Sequence, residues 1–170
     1  RVSALVLAVP ITYHPAAATP LPVADDALLT RLLGSDFLFW AGLHVARNAV
    51  FRYVLATRPE LLRAASTTER ERADAMADGI LPVSLRVAGL HDDTGLGRRL
   101  GATALESIRV PTLVISARDD GFGTYAGARY TASRIPGAKF LGFEQGGHLW
   151  LGHDDEVRAA IALLLKNLPP

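Results

Sequence analysis

An acidic pair and a histidine each follow a segment that is predicted to be a strand. Asp119 and Asp120 come after the apolar run 110–117 (VPTLVISA), and His148 comes after the run 138–143 (AKFLGF). Catalytic groups of open parallel sheets gather at the carboxyl ends of the strands. We therefore expect a carboxylate and an imidazole to meet at one edge of a sheet.

Such a pair is part of the machinery of nucleophilic catalysis. A carboxylate that accepts the imidazole N–H fixes the tautomer and orientation of the ring, which leaves the other ring nitrogen to activate a nucleophile or a water. Gly146 and Gly147 directly precede His148, and two glycines allow a turn that other side chains would block. The sequence therefore predicts His148 on a loop at the tip of a strand.

The elements that must position this pair indicate an α/β fold. The runs 2–9 (VSALVLAV) and 110–117 are continuously apolar, as in strands of a parallel sheet that is covered on both faces. Segment 123–135 has an apolar helical face and connects the second and third strands. A last helix over 154–168 begins with acidic residues, which suit the positive end of its dipole. Its predicted sheet-facing residues are Val157, Ile161, Leu164, Leu165 and Leu168.

The middle of the chain, about 24–107, contains helix-like segments and no convincing strand. We predict a core formed by residues 1–23 and 108–170, with 24–107 inserted as a helical cap. Signals for helix starts are Asp36 before the segment 37–55, Pro59, the capping-box pair Thr68 and Glu71, and Pro82.

Three segments together resemble the C-terminal part of an α/β-hydrolase. Residues 1–10 (RVSALVLAVP) are similar to the strand that comes after the nucleophile helix of that family. Residues 108–125 (IRVPTLVISARDDGFGTY) are similar to its acid motif, and residues 135–153 (IPGAKFLGFEQGGHLWLGH) to its histidine motif. The resemblance covers essentially the whole chain and implies a parallel sheet with a helical cap insertion.

Matching the motifs residue by residue assigns the triad acid to Asp120 and the triad histidine to His148, 28 positions later. Asp119 is interpreted as a helix or turn cap. Ala117 stands where the acid motif usually has glycine.

The resemblance implies a hydrolase that acts on an ester or a similar acyl or carbon–carbon bond. The family carries its nucleophile in a G-x-S-x-G elbow, and that pentapeptide does not occur in these 170 residues. The chain is therefore expected to hold only the acid and the histidine, and its start at Arg1 suggests a fragment. The nucleophile can be serine or, as in epoxide hydrolases and dehalogenases, aspartate. The alternative is an inactive fragment, or a binding or assembly module that retains the fold.

The family implies no cofactor and a small apolar acyl or aromatic substrate. Aromatic residues of the segment 37–53 are predicted mainly as cap core, the alternative being that some line a substrate pocket. They are Phe37, Phe39, Trp40, Phe51 and Tyr53. His153 beside Asp154 and Asp155 is not predicted to bind a metal, because the spacing matches no common ligand motif.

Composition argues against several other classes of protein. Eighteen basic residues against 17 acidic ones give a net charge of +1, so no electrostatic footprint for nucleic acid is expected. No apolar run approaches the ~20 residues of a membrane helix. No signal peptide is visible, which leaves the compartment open but favours the cytoplasm. The strand at 2–9 has no upstream neighbour, so we expect self-association through its edge.

Overall fold

The computed structural model describes residues 2–16, 31, 33–97 and 99–168. The strands in these residues form one parallel sheet in the order β1-β2-β3, namely β1 (Leu5–Ala8), β2 (Thr112–Ala117) and β3 (Lys139–Phe143). Because all pairings are parallel, the carboxyl ends of the three strands lie at the same edge. The predicted α/β class and its three strands are confirmed. Strand β1 spans half of its apolar run, whereas β2 and β3 are shorter than theirs by two residues and one.

Helices fill most of the remaining described chain. Those between β1 and β2 are α1 (Asp36–Val45), α2 (Arg47–Tyr53), α3 (Pro59–Ala64), α4 (Thr67–Asp78) and α5 (Val87–Gly97), with 3₁₀ turns at Val83–Arg86 and Leu105–Ser107. Helix α6 (Thr124–Arg134) connects β2 to β3, and α7 (Asp154–Lys166) follows β3. The segment predicted as a cap, 24–107, is helical wherever it has regular structure among the described residues, and its predicted start at 24 lies outside them. None of the described helices has the length and apolar character that crossing a membrane requires.

Helices α6 and α7 cover opposite faces of the sheet. Val114 of β2 packs with Ala128 and Ala132 of α6, whereas its neighbours Leu113 and Ile115 pack with α7. The close approach of α6 depends on small residues and on Gly127, where a Cβ would lie 2.6 Å from the backbone oxygen of Thr12. The two helices leave β2 buried at every position.

The prediction that strands are covered on both faces is right for β2 and wrong for β1. In β1, Leu5 and Leu7 are half-buried, but Val6 and Ala8 are exposed. Val6 lies beside Leu113 on the face covered by α7, yet α7 packs over β2 and β3 and does not extend across to β1.

The predicted apolar face of α7 is correct in part. Val157, Ile161 and Leu164 pack against the β2–β3 cluster, but the Leu165 side chain is 53% exposed. The packed stripe extends around the helix from Ala160 to Ile161, and at about 100° per residue Leu165 lies beyond its Ile161 side. The helix ends at Lys166, two residues before the predicted end.

The helices between β1 and β2 have a hydrophobic cluster of their own. Phe39 and Phe51 are fully buried at its centre, and Leu149 and Leu151 join it from the loop after β3. The prediction of aromatic cap core therefore holds for Phe39 and Phe51. It is wrong for three others that are largely exposed: Phe37, Trp40 and Tyr53. This shared cluster attaches the histidine-bearing loop to the helices.

The single helix predicted over 37–55 is two helices. Ala46, with φ −130° and ψ 37°, separates α1 from α2, and no proline or glycine signals this break. Ser35 caps α1 by accepting a bond from the Leu38 N–H (3.3 Å), so the prediction of Asp36 as cap is wrong by one residue. The Asp36 carboxylate instead accepts bonds from the backbone N–H and the hydroxyl of Ser84, each 2.8 Å long.

The capping-box prediction at Thr68 and Glu71 is also wrong in position. Ser66 caps α4 by accepting from the Glu69 N–H (3.2 Å). The Glu69 carboxylate accepts from the N–H of Gly152, 2.7 Å away, because the loop after β3 approaches the start of the helix. Pro59 opens α3 as predicted. Pro82 precedes a 3₁₀ turn, and the α-helix follows only at Val87.

Candidate active site

Asp120 and His148 meet at the carboxyl edge of the sheet, on the loops that follow β2 and β3. The Nδ1 atom of His148 lies 3.0 Å from the Oδ2 atom of Asp120. The Asp120 side chain is fully buried, while that of His148 is 24% exposed. The structure therefore brings together the two residues that the sequence singles out.

The Asp120 carboxylate is held by three donors. Its Oδ1 accepts from the Phe122 N–H (2.9 Å), and its Oδ2 accepts from the Thr124 hydroxyl and from His148. The Thr124 hydroxyl also lies 2.9 Å from the Ser116 hydroxyl, and since Thr124 gives its hydrogen to Asp120, Ser116 donates to Thr124. A carboxylate only accepts hydrogen bonds, so it selects the neutral imidazole tautomer with hydrogen on Nδ1 and a free lone pair on Nε2.

The two glycines before His148 have positive φ angles, +142° at Gly146 and +62° at Gly147. A Cβ on Gly147 would also lie 2.9 Å from the side chain of Thr57. The chain then turns back, so that the Leu151 N–H donates to the Gly146 oxygen (2.8 Å). The flanking Leu149 is buried, which leaves the imidazole as the side chain presented at the edge.

Asp119 does not cap a turn, contrary to its sequence interpretation. Its Oδ1 accepts from the Gly147 N–H (2.8 Å), and its Oδ2 pairs with the Arg58 guanidinium (2.9 Å). These partners are 28 and 61 positions away in the chain. Asp119 thus joins the histidine loop to the segment before α3.

A cavity of about 400 Å³ opens beside the exposed side of His148. Its wall is mainly apolar, with one carboxylate from Asp93, and comes from the end of β1, from α5 and its C-terminal side, and from the loop after β2. The lining residues are Val9, Ile11, Asp93, Leu96, Gly97, Leu100, Phe122 and His148. The Phe122 ring meets the imidazole edge-on, with centroids 4.8 Å apart. This cavity could hold an apolar group beside the His148 side chain.

The aromatic residues of 37–53 do not contribute to this cavity. Their alternative interpretation as its lining is therefore wrong for this site. Helix α5, a segment that the sequence marks only as helical, supplies that wall instead.

The neighbouring histidine His153 has structural contacts. Its ring stacks on Phe143 with centroids 3.9 Å apart, and its Nε2–H donates to the Gln145 oxygen (3.0 Å). Asp154 and Asp155 lie in the first turn of α7, as predicted. Across the described residues, no group of three or more histidine and acidic side chains is placed to hold a metal ion.

This chain is similar in sequence to an esterase and in fold to two proteins of known structure. Over 98 residues, 57% of this chain, it is 34% identical to the pimeloyl-[acyl-carrier protein] methyl ester esterase of Xanthomonas campestris pv. campestris. Among solved structures, the alpha/beta hydrolase fold protein from Nakamurella multipartita matches 98% of the chain with a TM-score of 0.56 and 22% identity. The bromoperoxidase from Bacillus anthracis matches 97% with a TM-score of 0.53 and 20% identity. This chain has the α/β-hydrolase fold.

The chain is shorter than these proteins. It spans 34% of the length of the curated esterase, and 61% and 58% of the two solved chains. No protein-family model matches it.

Within this α/β-hydrolase fold, sequence reasoning missed three residues that support the pair. Thr124 is the first residue of α6 and lies four positions after Asp120. A search for hydroxyl donors close to the predicted acid could have found it. Thr57 and Arg58 carry no local signal, because their partners come from distant parts of the chain.

Proposed function

We propose that Asp120 and His148 are the acid and the base of a hydrolase active site that acts on an ester or a similar acyl or carbon–carbon bond. The observation that carries the proposal is the 3.0 Å contact between His148 Nδ1 and Asp120 Oδ2 at the wall of an apolar cavity. General acid–base catalysis needs this arrangement: a buried carboxylate that orients an imidazole, and a cavity next to the imidazole.

In the proposed reaction with a serine nucleophile, Nε2 of His148 takes the hydroxyl proton as the serine oxygen attacks the substrate carbonyl. The imidazolium that forms is stabilised by the Asp120 carboxylate, which stays ionised and held by Phe122 and Thr124. His148 then returns the proton to the leaving group, and the same residue activates water in the second half of the cycle.

The nucleophile is proposed to lie outside these 170 residues. No G-x-S-x-G elbow occurs among them, and the chain spans 34% of the esterase to which it is similar. That relative is named as a methyl ester esterase, which makes a carboxylic ester the first substrate class to test. The apolar lining of the cavity favours a small acyl or aromatic substrate. A serine or an aspartate nucleophile fits the proposal. An aspartate would carry no proton when it attacks, so His148 would then act only in the later step that activates water.

The second candidate is a binding or assembly module that retains the fold without turnover. The observation in its favour is the absence of the nucleophile elbow from the 170-residue sequence. The fold by itself does not distinguish the two, since one fold hosts many functions.

The distinguishing experiment is hydrolysis of a short-chain chromogenic ester. It compares the 170-residue chain, the protein as its gene encodes it, and two variants of the latter, His148→Ala and His44→Ala. His44 is exposed on α1 and serves as the matched control. We expect no turnover by the 170-residue chain and turnover by the gene product, lost on the order of 10⁴-fold or more in His148→Ala alone. Absence of turnover in every form would favour the binding module, and turnover that survives His148→Ala would overturn the assignment of the base.

A further inference from the structure

One short segment between α2 and α3, Ala56–Arg58, holds the residues on either side of Asp120 and of His148. From these contacts we infer that Ala56–Arg58 acts as a strap that sets the alignment of the Asp120–His148 pair, with Thr57 and Arg58 as positioning residues. The inference rests on the proposed function only where it calls the pair catalytic, because the alignment is measurable without turnover.

Thr57 holds the residue after His148. Its side chain has no exposed surface, and its hydroxyl donates to the Leu55 oxygen (2.8 Å) while accepting from the Leu149 N–H (3.3 Å). The Thr57 N–H donates to the Phe51 oxygen (2.9 Å), which fixes the strap to α2. The same side chain occupies the space that a Cβ on Gly147 would need.

Arg58 holds the residue before His148 through a relay. Its guanidinium donates to Asp119 Oδ2 (2.9 Å), and Asp119 Oδ1 accepts from the Gly147 N–H (2.8 Å). The Asp119 carboxylate therefore joins the strap to the histidine loop, and Asp119 itself belongs to the loop that carries Asp120. Its side chain is 17% exposed, so this ion pair is shielded more than a typical surface pair.

Ala56 holds the residue after Asp120. Its oxygen accepts from the Gly121 N–H (3.0 Å), and a Cβ on Gly121 would lie 3.0–3.1 Å from Ala56 atoms. Ala56 reaches this position with φ +45°, in the left-handed region that non-glycine residues rarely adopt. Such backbone strain persists only where surrounding contacts hold it.

Other contacts reach the histidine loop but not the acid loop. Arg72 of α4 donates to the Leu149 oxygen (2.8 Å), and Glu69 accepts from Gly152. The strap differs because it contacts both loops at once. A displacement of the strap would therefore change the distance and angle between His148 Nδ1 and Asp120 Oδ2, and a misplacement of about 1 Å can cost on the order of 100-fold in rate.

The test follows the Nδ1–H proton of His148 by NMR in the protein as its gene encodes it, with His148→Ala assigning the signal. Thr57→Val removes the acceptor and keeps the shape, and Thr57→Ser restores a hydroxyl. Arg58→Gln removes the relay at a side chain that is about half exposed, so it leaves the fold intact even if Thr57→Val does not. Thr68→Val and Arg63→Gln are the matched controls on exposed parts of neighbouring helices.

We expect the Nδ1–H resonance to move upfield or broaden beyond detection in Thr57→Val and Arg58→Gln, and to be retained in Thr57→Ser and both controls. In ester hydrolysis, the same two variants should lower kcat about 10- to 100-fold with KM nearly unchanged. An unchanged resonance in folded Arg58→Gln and Thr57→Val protein would overturn the inference, even if turnover depends on His148. A shifted resonance in a protein without esterase activity would support the strap and contradict the proposed function.

Discussion

The neighbouring carboxylates Asp119 and Asp120 differ in what each one holds. Asp120 accepts from Phe122, Thr124 and His148, whereas Asp119 accepts from Gly147 and Arg58. Successive residues project in different directions, so the two side chains diverge from one backbone turn. Of the two carboxylates, only Asp120 contacts the imidazole.

This difference predicts unequal effects of two identical substitutions. Asp120→Asn places an amide where an acceptor is needed, which favours the wrong histidine tautomer and should lower kcat for ester hydrolysis by on the order of 10⁴-fold. Asp119→Asn keeps an acceptor for the Gly147 N–H but turns its amide nitrogen toward Arg58, so the loss should match that of Arg58→Gln, about 10- to 100-fold. Equal losses, or a larger loss in Asp119→Asn, would contradict these roles.

The backbone conformation of Gly147 predicts a loss of stability on substitution. Gly147→Ala introduces a Cβ at φ +62° and 2.9 Å from Thr57, so it should lower the free energy of unfolding by about 1–3 kcal/mol in urea denaturation. Gly101→Ala is the control, because a Cβ there meets no atom within 4 Å. Equal unfolding midpoints for the two variants would show that the predicted clash is relieved at no cost.

Among the secondary-structure elements, α1 is joined to the 3₁₀ turn at Val83–Arg86 by the Asp36–Ser84 hydrogen bonds. The backbone N–H of Ser84, followed by its hydroxyl, lowers the pKa of Asp36 below its ordinary value. A folded-state pKa below the unfolded value stabilises the protein above about pH 4, and that contribution is lost as the pH falls through the folded pKa.

We therefore expect Ser84→Ala to reduce the urea midpoint at pH 7, with the difference from the parent protein shrinking as the pH is lowered to about 3. Ser133→Ala is the control, because its hydroxyl donates to the Tyr130 oxygen and meets no carboxylate. A difference for Ser84→Ala that is constant or grows toward low pH would show that the Asp36 carboxylate is not the partner that matters.

The elements also show what the sequence can and cannot predict. Strands β2 and β3 and helix α7 follow from continuous apolar runs and acidic starts, which are local properties. The break at Ala46 has no local signal. The cap of α4 at Ser66 has one, since Ser66 and Glu69 have the spacing of a capping box, but the same spacing recurs at Thr68 and Glu71. Position after a strand indicates Asp119, Asp120 and His148, and the resemblance to the acid motif of the hydrolase family selects Asp120 from the two acids. Arg58 could not be predicted, since its role depends on a partner 61 positions away.

For the whole molecule, the outer edge of β1 is the feature with the largest expected consequence. Within the described residues β1 pairs only with β2, and Val6 is 37% exposed on a strand that lacks charge. Unprotected edges of this kind pair with other chains. We expect the isolated 170-residue chain to form dimers or larger species in light scattering, and Val6→Lys to reduce them. Val45→Lys, on an exposed helical position, is the control. A monodisperse monomer of the parent chain would contradict this expectation.

We propose that Asp120 and His148 act as one catalytic unit in this fold. The most direct measurement is a double-mutant cycle on kcat/KM for ester hydrolysis by the protein as its gene encodes it, with Asp120→Asn, His148→Ala and the double variant. Since Asp120 acts only through His148, the double variant should be no slower than His148→Ala alone. Losses that multiply would mean that the two side chains act independently, which would contradict a single catalytic unit.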